Sequence, residues 1–434
     1  MSVGRRDFLT TAALAGGAEL LGAGLARAAA NDRIHAAIIG MGGRGRDHMR
    51  ELARIPFVDV VAFCDPDSTR LEEKAAEFEK LTGKRPALHQ DVRKVLEDKS
   101  IDAVTIATCN HWHALAAIWA CQAGKHVYVE KPVSHDMFSG AQMVAAARKY
   151  NRLAQGGTQR RSEGRVRRAV QALHDGIIGD VYMARCTHYQ QRDSIGFKDA
   201  TNPPSTLNWD LWTGPAPAKP YNANLHPYNW HWFWDYGNGE LGNNGPHYID
   251  VGRWGLNKGL PSRIFSSGGR FGYKDQAQTP NVQLSSYIFE DGTELIMEIR
   301  GRYSNAEGPI SAGNIFYGSK GYMISSGGRE GFQVYLDAKK TPEPDLGSEP
   351  TPTGEVSHFR NFFDAVQANK PEMLHAEINE TYLSTAFCLL GNISYRLKRE
   401  IKFDPNTRRF IGDHEADDML KDKYRAPFTV PEKV

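Results

Sequence analysis

The chain has 434 residues, 41% of them hydrophobic, and its 53 lysines and arginines nearly balance its 51 aspartates and glutamates. This length predicts two or three packed domains, and the charge balance argues against a nucleic-acid-binding surface or a polybasic membrane patch. The five cysteines include no C-x-x-C pair, so neither a disulfide framework nor a zinc site is indicated.

Residues 1–30 have the pattern of a targeting segment. Arg5 and Arg6 precede a mildly apolar Ala/Gly/Leu stretch that ends in small residues near Ala30. This order is typical of a bacterial twin-arginine signal, and the stretch is too short to span a membrane. We therefore expect a protein exported in folded form, periplasmic or beyond, with no membrane span in the mature chain.

The next segment predicts a nucleotide-binding turn. The apolar run Ile34–Ile39 ends in G-x-G-x-x-G before a helical segment, and these glycines suit a tight turn, close approach to a pyrophosphate and close helix packing. Asp65 follows twenty residues later, at the spacing of the acid that binds ribose hydroxyls. It favours NAD over NADP, although the nearby Arg70 could soften that preference, as could Arg44. The predicted cofactor contacts here are Gly40, Gly42, Gly43, Arg44, Gly45 and Asp65.

Strand-like and helix-like segments alternate as far as Leu153. This alternation predicts a doubly wound parallel sheet, a Rossmann domain over residues 31–155, with ligands at the carboxyl ends of its strands. The predicted strands are Ile34–Ile39, Val58–Cys64, Ala103–Ala107 and His126–Val129.

Two of the loops at those carboxyl ends carry a resemblance. The chain reads D-A-V-T-I-A-T-C-N-H-W-H at 102–113 and A-G-K-H-V-Y-V-E-K-P at 123–132. In these motifs it resembles the glucose–fructose oxidoreductase/inositol dehydrogenase (Gfo/Idh/MocA) family. The resemblance implies an NAD(P)-dependent sugar or polyol oxidoreductase with Asn110 and His113 near the nicotinamide ribose. It also implies that Glu130 and Lys131 contact the cofactor.

Lys131 is the first candidate catalytic residue. It follows a strand and precedes Pro132, so its ammonium is expected in the cofactor crevice, where it can stabilise an alkoxide or relay a proton. The alternative is a surface lysine that solvates the loop. His111 and His113 stand two residues apart and do not share a helix face, so no metal pair is expected.

The pattern changes after Leu153 to alternating strand-like runs with turn signals. It predicts a largely antiparallel sheet with one packed and one open face, in a substrate and oligomerisation domain over 156–403. This matches the glyceraldehyde-3-phosphate-dehydrogenase-like C-terminal domain that the resemblance implies, whose open face often mediates homo-oligomers. A Pro-rich linker at 341–354 and a C-terminal tail at 404–434, charged and loose after Asp413, complete the prediction.

Candidate substrate residues lie in two places. Arg160 and Arg161 could contact a polar substrate or only cap and solvate. The insertion Gln191–Asn257 is rich in aromatic residues, which stack on sugar rings but equally form cores. We expect both roles there, with the substrate contacts Trp230, Trp232 and Tyr236.

The segment Gly239–Asp250 resembles the family pattern G-x-L-x-D-x-G-x-H-x-x-D, and the resemblance makes His247 the catalytic base. A structural histidine on a helix is the alternative. Asn243 replaces the acid of the pattern and cannot ionise, but can still bind a substrate hydroxyl. Asp250 is expected to orient His247 or its helix.

These features predict an exported oxidoreductase that transfers hydride from a sugar, polyol or glycoside CH–OH to a tightly bound NAD, with NADP less favoured. His247 is the expected base and Lys131 the assisting group. The alternatives are a redox-neutral NAD-dependent glycosidase, an oxidoreductase that couples two sugars on one bound nucleotide, and a non-catalytic sugar-binding protein. The T-H-G-L-G-P segment of family glycosidases is absent, which favours the oxidoreductase.

Overall fold

The structure is a computed structural model that describes residues 33–302, 312–326, 332–337, 339 and 357–434. The predicted twin-arginine signal and the linker at 341–354 lie outside the described residues. No helix among the described residues is long and apolar enough to cross a membrane.

The first domain is a six-stranded parallel sheet with helices on both faces. Its strands are β1 (Ile34–Ile39), β2 (Val58–Cys64), β3 (Ala87–His89), β4 (Ala103–Ile106), β5 (His126–Val129) and β6 (Ala154–Gly156). Its helices are α1 (Gly43–Leu52), α2 (Ser68–Thr82), α3 (Val92–Glu97), α4 (Asn110–Gln122) and α5 (Met137–Lys149). The strand order β3-β2-β1-β4-β5-β6 reverses direction between β1 and β4, where doubly wound sheets bind ligands. The predicted doubly wound sheet is confirmed.

The second domain is built on a nine-stranded sheet. Its strands are β7 (Val181–Tyr189), β8 (Arg263–Gly269), β9 (Val282–Ile288), β10 (Glu294–Arg300), β11 (Ala312–Gly318), β12 (Gly321–Ser326), β13 (Phe332–Leu336), β14 (Ile401–Asp404) and β15 (Arg409–Phe410). The order is β13-β12-β11-β7-β10-β9-β8-β14-β15, and of the pairs between these described strands only β7–β10 is parallel. The largely antiparallel sheet is thereby confirmed.

The helices of the second domain bring its sheet to the first domain. They are α6 (Gly164–His174), α7 (Trp209–Thr213), α8 (Gly239–Asn243), α9 (Gly245–Leu256), α10 (His358–Ala368), α11 (Ile378–Leu397) and α12 (His414–Asp417). Helix α9 packs closely on β7 because Gly252 faces Cys186, where a Cβ would stand only 2.6 Å from Sγ. Helix α11 reaches the loop after β5, since Thr385 Oγ1 accepts the Val133 N–H at 3.2 Å. Lys131, at the end of β5, donates to the Asn243 oxygen just before α9, so the start of α9 and the end of β5 lie in one region.

The other face of the sheet is open. Tyr182, Phe265 and Leu284 expose large apolar side chains on β7, β8 and β9. This agrees with one packed and one open face, and the oligomer expected there stays a prediction.

The expectation of a loose tail is wrong. Phe428 is 1% exposed and packs edge-on to Trp112 of α4, with ring centroids 5.4 Å apart. Arg425 donates to Asp210 of α7 at 2.6 Å, and Gln142 of α5 donates to the Glu432 carbonyl at 2.8 Å. A few apolar residues among many charged ones suffice to dock the tail on the first domain. The overall composition of the tail does not predict this.

Replacing Phe428 by alanine is expected to lower the free energy of unfolding by about 3 kcal/mol, because it empties a packed aromatic site. Urea unfolding of the purified protein measures it. The matched change Ile411→Ala, at a side chain 62% exposed, is expected to stay within about 0.5 kcal/mol. Equal values for the two variants would mean that the tail adds no stability.

Candidate active site

A cavity of about 300 Å³ lies at the carboxyl ends of β1, β2, β4 and β5. One wall is the first domain, with the glycine turn (residues 40–45) and the loops after β4 and β5. The opposite wall is the insertion Gln191–Asn257, which crosses from the second domain. The cavity brings together these predicted site residues: Gly40, Gly42, Gly43, Arg44, Asp65, Asn110, His113, Glu130, Lys131, Trp230 and Asn243.

The glycine turn is shaped for a phosphate group. Gly40 has φ +89° and its Cβ would stand 2.6 Å from the Ala107 oxygen, while a Cβ on Gly45 would stand 1.9 Å from the Gly40 oxygen. Nothing lies within 4 Å of a Cβ on Gly43, which faces open space. Gly42 is the N-cap of α1, and no side chain among the described residues caps the helix. Uncapped N–H groups at a helix N-terminus bind anions, so this turn fits the pyrophosphate of a dinucleotide.

Replacing Gly45 by alanine is expected to destabilise the protein by about 1–3 kcal/mol and to abolish nucleotide retention, because the methyl group collides with backbone. Unfolding of the nucleotide-free protein and nucleotide content after purification measure the two effects. Gly43→Ala enters open space and should leave the unfolding midpoint unchanged. A stable Gly45→Ala variant would contradict this packing account.

Asp65 is anchored at the end of β2. Its carboxylate accepts the Met41 N–H at 2.8 Å and the Asp67 N–H at 3.0 Å, and Arg70 Nη1 lies 3.6 Å away. Burial raises its pKa, although Arg70 and the two N–H groups oppose that rise. A carboxylate with two such bonds still has free lone pairs for ribose hydroxyls.

Glu130 ties the glycine turn to the loop after β5. It accepts from Arg44 Nε at 2.8 Å and lies 3.1 Å from His48 Nε2 and from Gln159 Nε2. Burial raises the pKa of Glu130, but Arg44 and His48 outweigh it and hold the pKa well below its usual range. Both predicted cofactor contacts, Arg44 and Glu130, thus also have a structural role that the sequence did not indicate.

Asn110 and His113 begin α4 and line the cavity. The Asn110 Oδ1 is buried and has no hydrogen-bond partner among the described residues, so it is available to accept a hydrogen bond from a ligand. His113 differs: its Nδ1 lies 2.6 Å from the Pro132 oxygen and its Nε2 lies 3.0 Å from the Thr108 oxygen. Burial lowers its pKa. The imidazole therefore joins the loops after β4 and β5, and both nitrogens face protein carbonyls.

Lys131 points inward from the end of β5. Its Nζ donates to the main-chain oxygen of Asn243 at 2.6 Å, and the residue lines the cavity. Burial lowers its pKa, with Glu130 opposing that change. The alternative of a solvating surface lysine is wrong. This bond joins the first domain to the end of α8, four residues before His247.

His247 lies in the first turn of α9. Burial and the positive charge of Lys131 lower its pKa well below the usual 6.5, so the imidazole is neutral at physiological pH. Within the described part of the chain its ring makes no hydrogen bond, which leaves both nitrogens for a substrate. His247 does not line this cavity, although Lys131, which does, is close enough to lower its pKa.

The neighbouring Asp250 does not orient His247. Its carboxylate pairs with Arg161 through two bonds of 2.8 and 2.9 Å and accepts from Ser384 at 2.6 Å. Asp250 and Arg161 are both buried. Of the two roles expected for Asp250, orienting its helix is the one that these bonds fit, and Arg161 is a structural ion-pair partner.

The predicted aromatic contacts separate. Trp230 lines the cavity and stacks on His231 with centroids 3.6 Å apart. Residues Asn229–Trp232 form a 3-10 turn. Trp232 lies under Arg192, and Tyr236 is 1% exposed in the core cluster that also contains Trp230; neither is among the residues that line the cavity. Tyr228 and His231 line it and were missed, although their place beside Trp230 was a usable signal.

A parallel nucleotide-binding sheet, an uncapped glycine turn and a second domain that supplies a neutral imidazole define a dinucleotide-binding protein with a separate substrate domain. The NAD-binding Rossmann-fold model of the Gfo/Idh/MocA oxidoreductase family matches residues 34–158, and its C-terminal alpha/beta-domain model matches residues 186–430. The chain belongs to the Gfo/Idh/MocA oxidoreductase family.

Individual relatives agree with this assignment. An inositol 2-dehydrogenase of Saccharopolyspora erythraea is 32% identical over 161 residues, 37% of this chain and 47% of that protein. This chain therefore matches about half the length of such curated relatives. The WlbA dehydrogenase of Bordetella pertussis, solved with NADH and UDP-GlcNAcA, superposes with TM-score 0.63 at 17% identity over 86% of this chain and 99% of that one. A scyllo-inositol dehydrogenase of Lactobacillus casei gives 0.61 at 19% identity, over 85% and 98%.

Proposed function

We propose that the protein is an NAD-linked oxidoreductase that acts on the CH–OH group of a sugar, polyol or glycoside. The observation that supports this most directly is the Lys131–Asn243 bond, because it holds an amine at the edge of the cofactor cavity and next to the turn that carries His247. Relatives whose names include inositol 2-dehydrogenase favour the same class of substrate.

The residues divide the work by position. The glycine turn would hold the pyrophosphate, Asp65 the adenosine ribose and Asn110 the nicotinamide side. When bound, the nicotinamide supplies the hydride acceptor. His247, a neutral imidazole with no ring hydrogen bond to the described residues, accepts the substrate hydroxyl proton. Lys131 donates to the same oxygen as negative charge develops on it, and Asn243, on the cavity wall, is placed to bind a neighbouring hydroxyl.

The cavity walls support a tightly held NAD. The insertion is fixed over the nucleotide end, since the Ser68 N–H donates to the Thr206 oxygen at 3.0 Å and the Asn208 N–H to the Pro66 oxygen at 2.9 Å. Release would require these bonds to open. Asp65 favours NAD, because a 2′-phosphate would meet its carboxylate, with Arg70 as the group that could moderate this repulsion.

A retained cofactor also suits the second candidate, redox-neutral glycoside cleavage. There the oxidised carbon would acidify its neighbouring C–H, the aglycone would leave and water would add, and a bound NAD would supply the means of taking up the hydride and giving it back. Lys131 and His247 serve both reactions. We further propose twin-arginine export, supported by residues 1–30, and assembly of copies through the open face of the second domain.

The test is to purify the full chain, release any nucleotide with acid and identify it by chromatography. Bound NAD, reduced when a member of a sugar and polyol panel is added, is expected; no bound or bindable nucleotide would refute the proposal. Bound NAD that releases aglycone from a glycoside panel, with no net reduction by free sugars, would replace it with the glycosidase.

A further inference from the structure

Arg160 is a buried cation for which the described residues supply no counter-ion. The residue is only 9% exposed, and its Nη1 is buried with no hydrogen-bond partner in the described part of the chain. Within the described residues no carboxylate forms an ion pair with it. The guanidinium lies over the Tyr248 ring, with Cζ 4.9 Å from the ring centroid. Buried charges in proteins are normally paired, because an unpaired charge loses its hydration free energy and gains no ion pair in exchange.

The neighbouring arginines follow that rule. Arg161 is paired with Asp250, Arg44 with Glu130, and Arg192 with Glu240, all within 3.0 Å. Arg160 lies in the same 3-10 turn as Arg161, and no described residue forms an ion pair with it. The difference indicates that the missing partner comes from outside the chain.

The position of Arg160 points to the substrate side. Gln159, just before it, reaches Glu130 at 3.1 Å, and Glu130 adjoins Lys131. Tyr248, which Arg160 covers, directly follows His247. Arg160 is absent from the wall of the cofactor cavity, as is His247. The guanidinium therefore lies beside the proposed base and away from the nucleotide.

We propose that Arg160 binds an anionic oxygen group of the substrate, the carboxylate of a sugar acid or the phosphate of a sugar phosphate. This rests on the proposed oxidoreductase function and narrows its substrate class. A guanidinium forms two parallel bonds with either group, and the Tyr248 face holds the guanidinium plane in place. An acidic substituent would thus fix which carbinol carbon faces His247.

The experiment uses matched sets of substrates with the full-length holoenzyme. Each set contains a neutral hexose, its uronic acid and its 6-phosphate, and reduction of bound nucleotide is followed at 340 nm. Binding of each compound is measured separately by calorimetry. The variants are Arg160→Gln, Arg160→Lys and the control Arg165→Gln, which removes a nearby arginine already paired with Glu163 at 3.0 Å.

In the wild type, the acidic member of at least one set is expected to exceed the neutral member in kcat/KM. Arg160→Gln should lower kcat/KM for the acidic member by about 100-fold and weaken its calorimetric affinity, since it removes one partner of a buried charge pair. Arg160→Lys should retain part of the wild-type kcat/KM and part of the affinity for the acidic member. Arg165→Gln should change neither quantity. The experiment also decides between the two anions: the natural substrate carries the group, carboxylate or phosphate, whose affinity falls more when Arg160 is replaced.

The inference is overturned if the acidic and neutral members react equally in wild type, or if Arg160→Gln and Arg165→Gln behave alike. The oxidoreductase proposal survives either result, because neutral sugars would still reduce the nucleotide. If no compound reduces the nucleotide, the proposed function fails instead, and calorimetry still decides whether Arg160 binds an anion. Should Arg160→Gln not fold, the lysine variant carries the test: acidic-member affinity unchanged from wild type would refute guanidinium recognition.

Discussion

Replacing Lys131 by methionine is expected to lower the rate of bound-nucleotide reduction by about 10³-fold, while the protein remains folded and retains nucleotide. The substitution keeps the length of the side chain. It removes the Lys131 amine that donates to the Asn243 main-chain oxygen. Its amine faces the same region as His247, so the loss falls on the developing alkoxide. Single-turnover reduction of the bound nucleotide, followed at 340 nm, measures it.

Lys125 offers a matched control. It is also a buried lysine, its Nζ donates to the Asp98 main-chain oxygen at 2.6 Å, and burial lowers its pKa too. It lies outside the cavity wall. Lys125→Met should therefore change stability without changing the single-turnover rate. If Lys131→Met and Lys125→Met reduced the nucleotide equally fast, Lys131 would have no part in the chemistry.

The architecture was predictable because its signals are local. Strands β1, β2, β4 and β5 are buried apolar runs bounded by turns, and the glycine turn identifies itself by spacing. Strands β3 and β6 were missed, since each has three residues and no pattern that distinguishes it from a loop. The tail was misread for a related reason: a few buried apolar side chains, Phe428 and Val430 among them, outweigh its charged composition.

The site was predictable in its parts and not in its connections. The E-K-P motif indicates Lys131, but its bond to Asn243 joins residues 112 apart, and the Arg161–Asp250 pair joins residues 89 apart. Such pairings depend on the packed fold. Likewise, an aromatic stretch predicts burial without saying against what: Trp230 meets the cavity, whereas Tyr236 meets other core rings.

Replacing His247 by asparagine is expected to reduce kcat/KM by about 10²–10⁴-fold, because the proton acceptor is lost while the small polar side chain still fits the helix. The pH profile gives a second, sharper result. A base acts when neutral, and the His247 pKa lies well below 6.5, so wild-type activity should persist through pH 6.5 and fall only at lower pH. Lys131 acts as a cation, and its pKa is lowered from 10.5. Activity should therefore also fall at high pH, with a midpoint below pH 10.5.

In His247→Asn the acid limb should disappear and the alkaline limb should remain, because Lys131 is unchanged. The control is His174→Asn, at a histidine whose Nε2 lies 2.9 Å from the Trp254 oxygen of the same helix α9 and which is remote from the cavity wall. That variant should keep both limbs. An acid limb that survives in His247→Asn would assign the base to another group. If His247→Asn kept the wild-type rate, His247 would have no part in the mechanism. There would then be no reason to place the substrate between α9 and the end of β5.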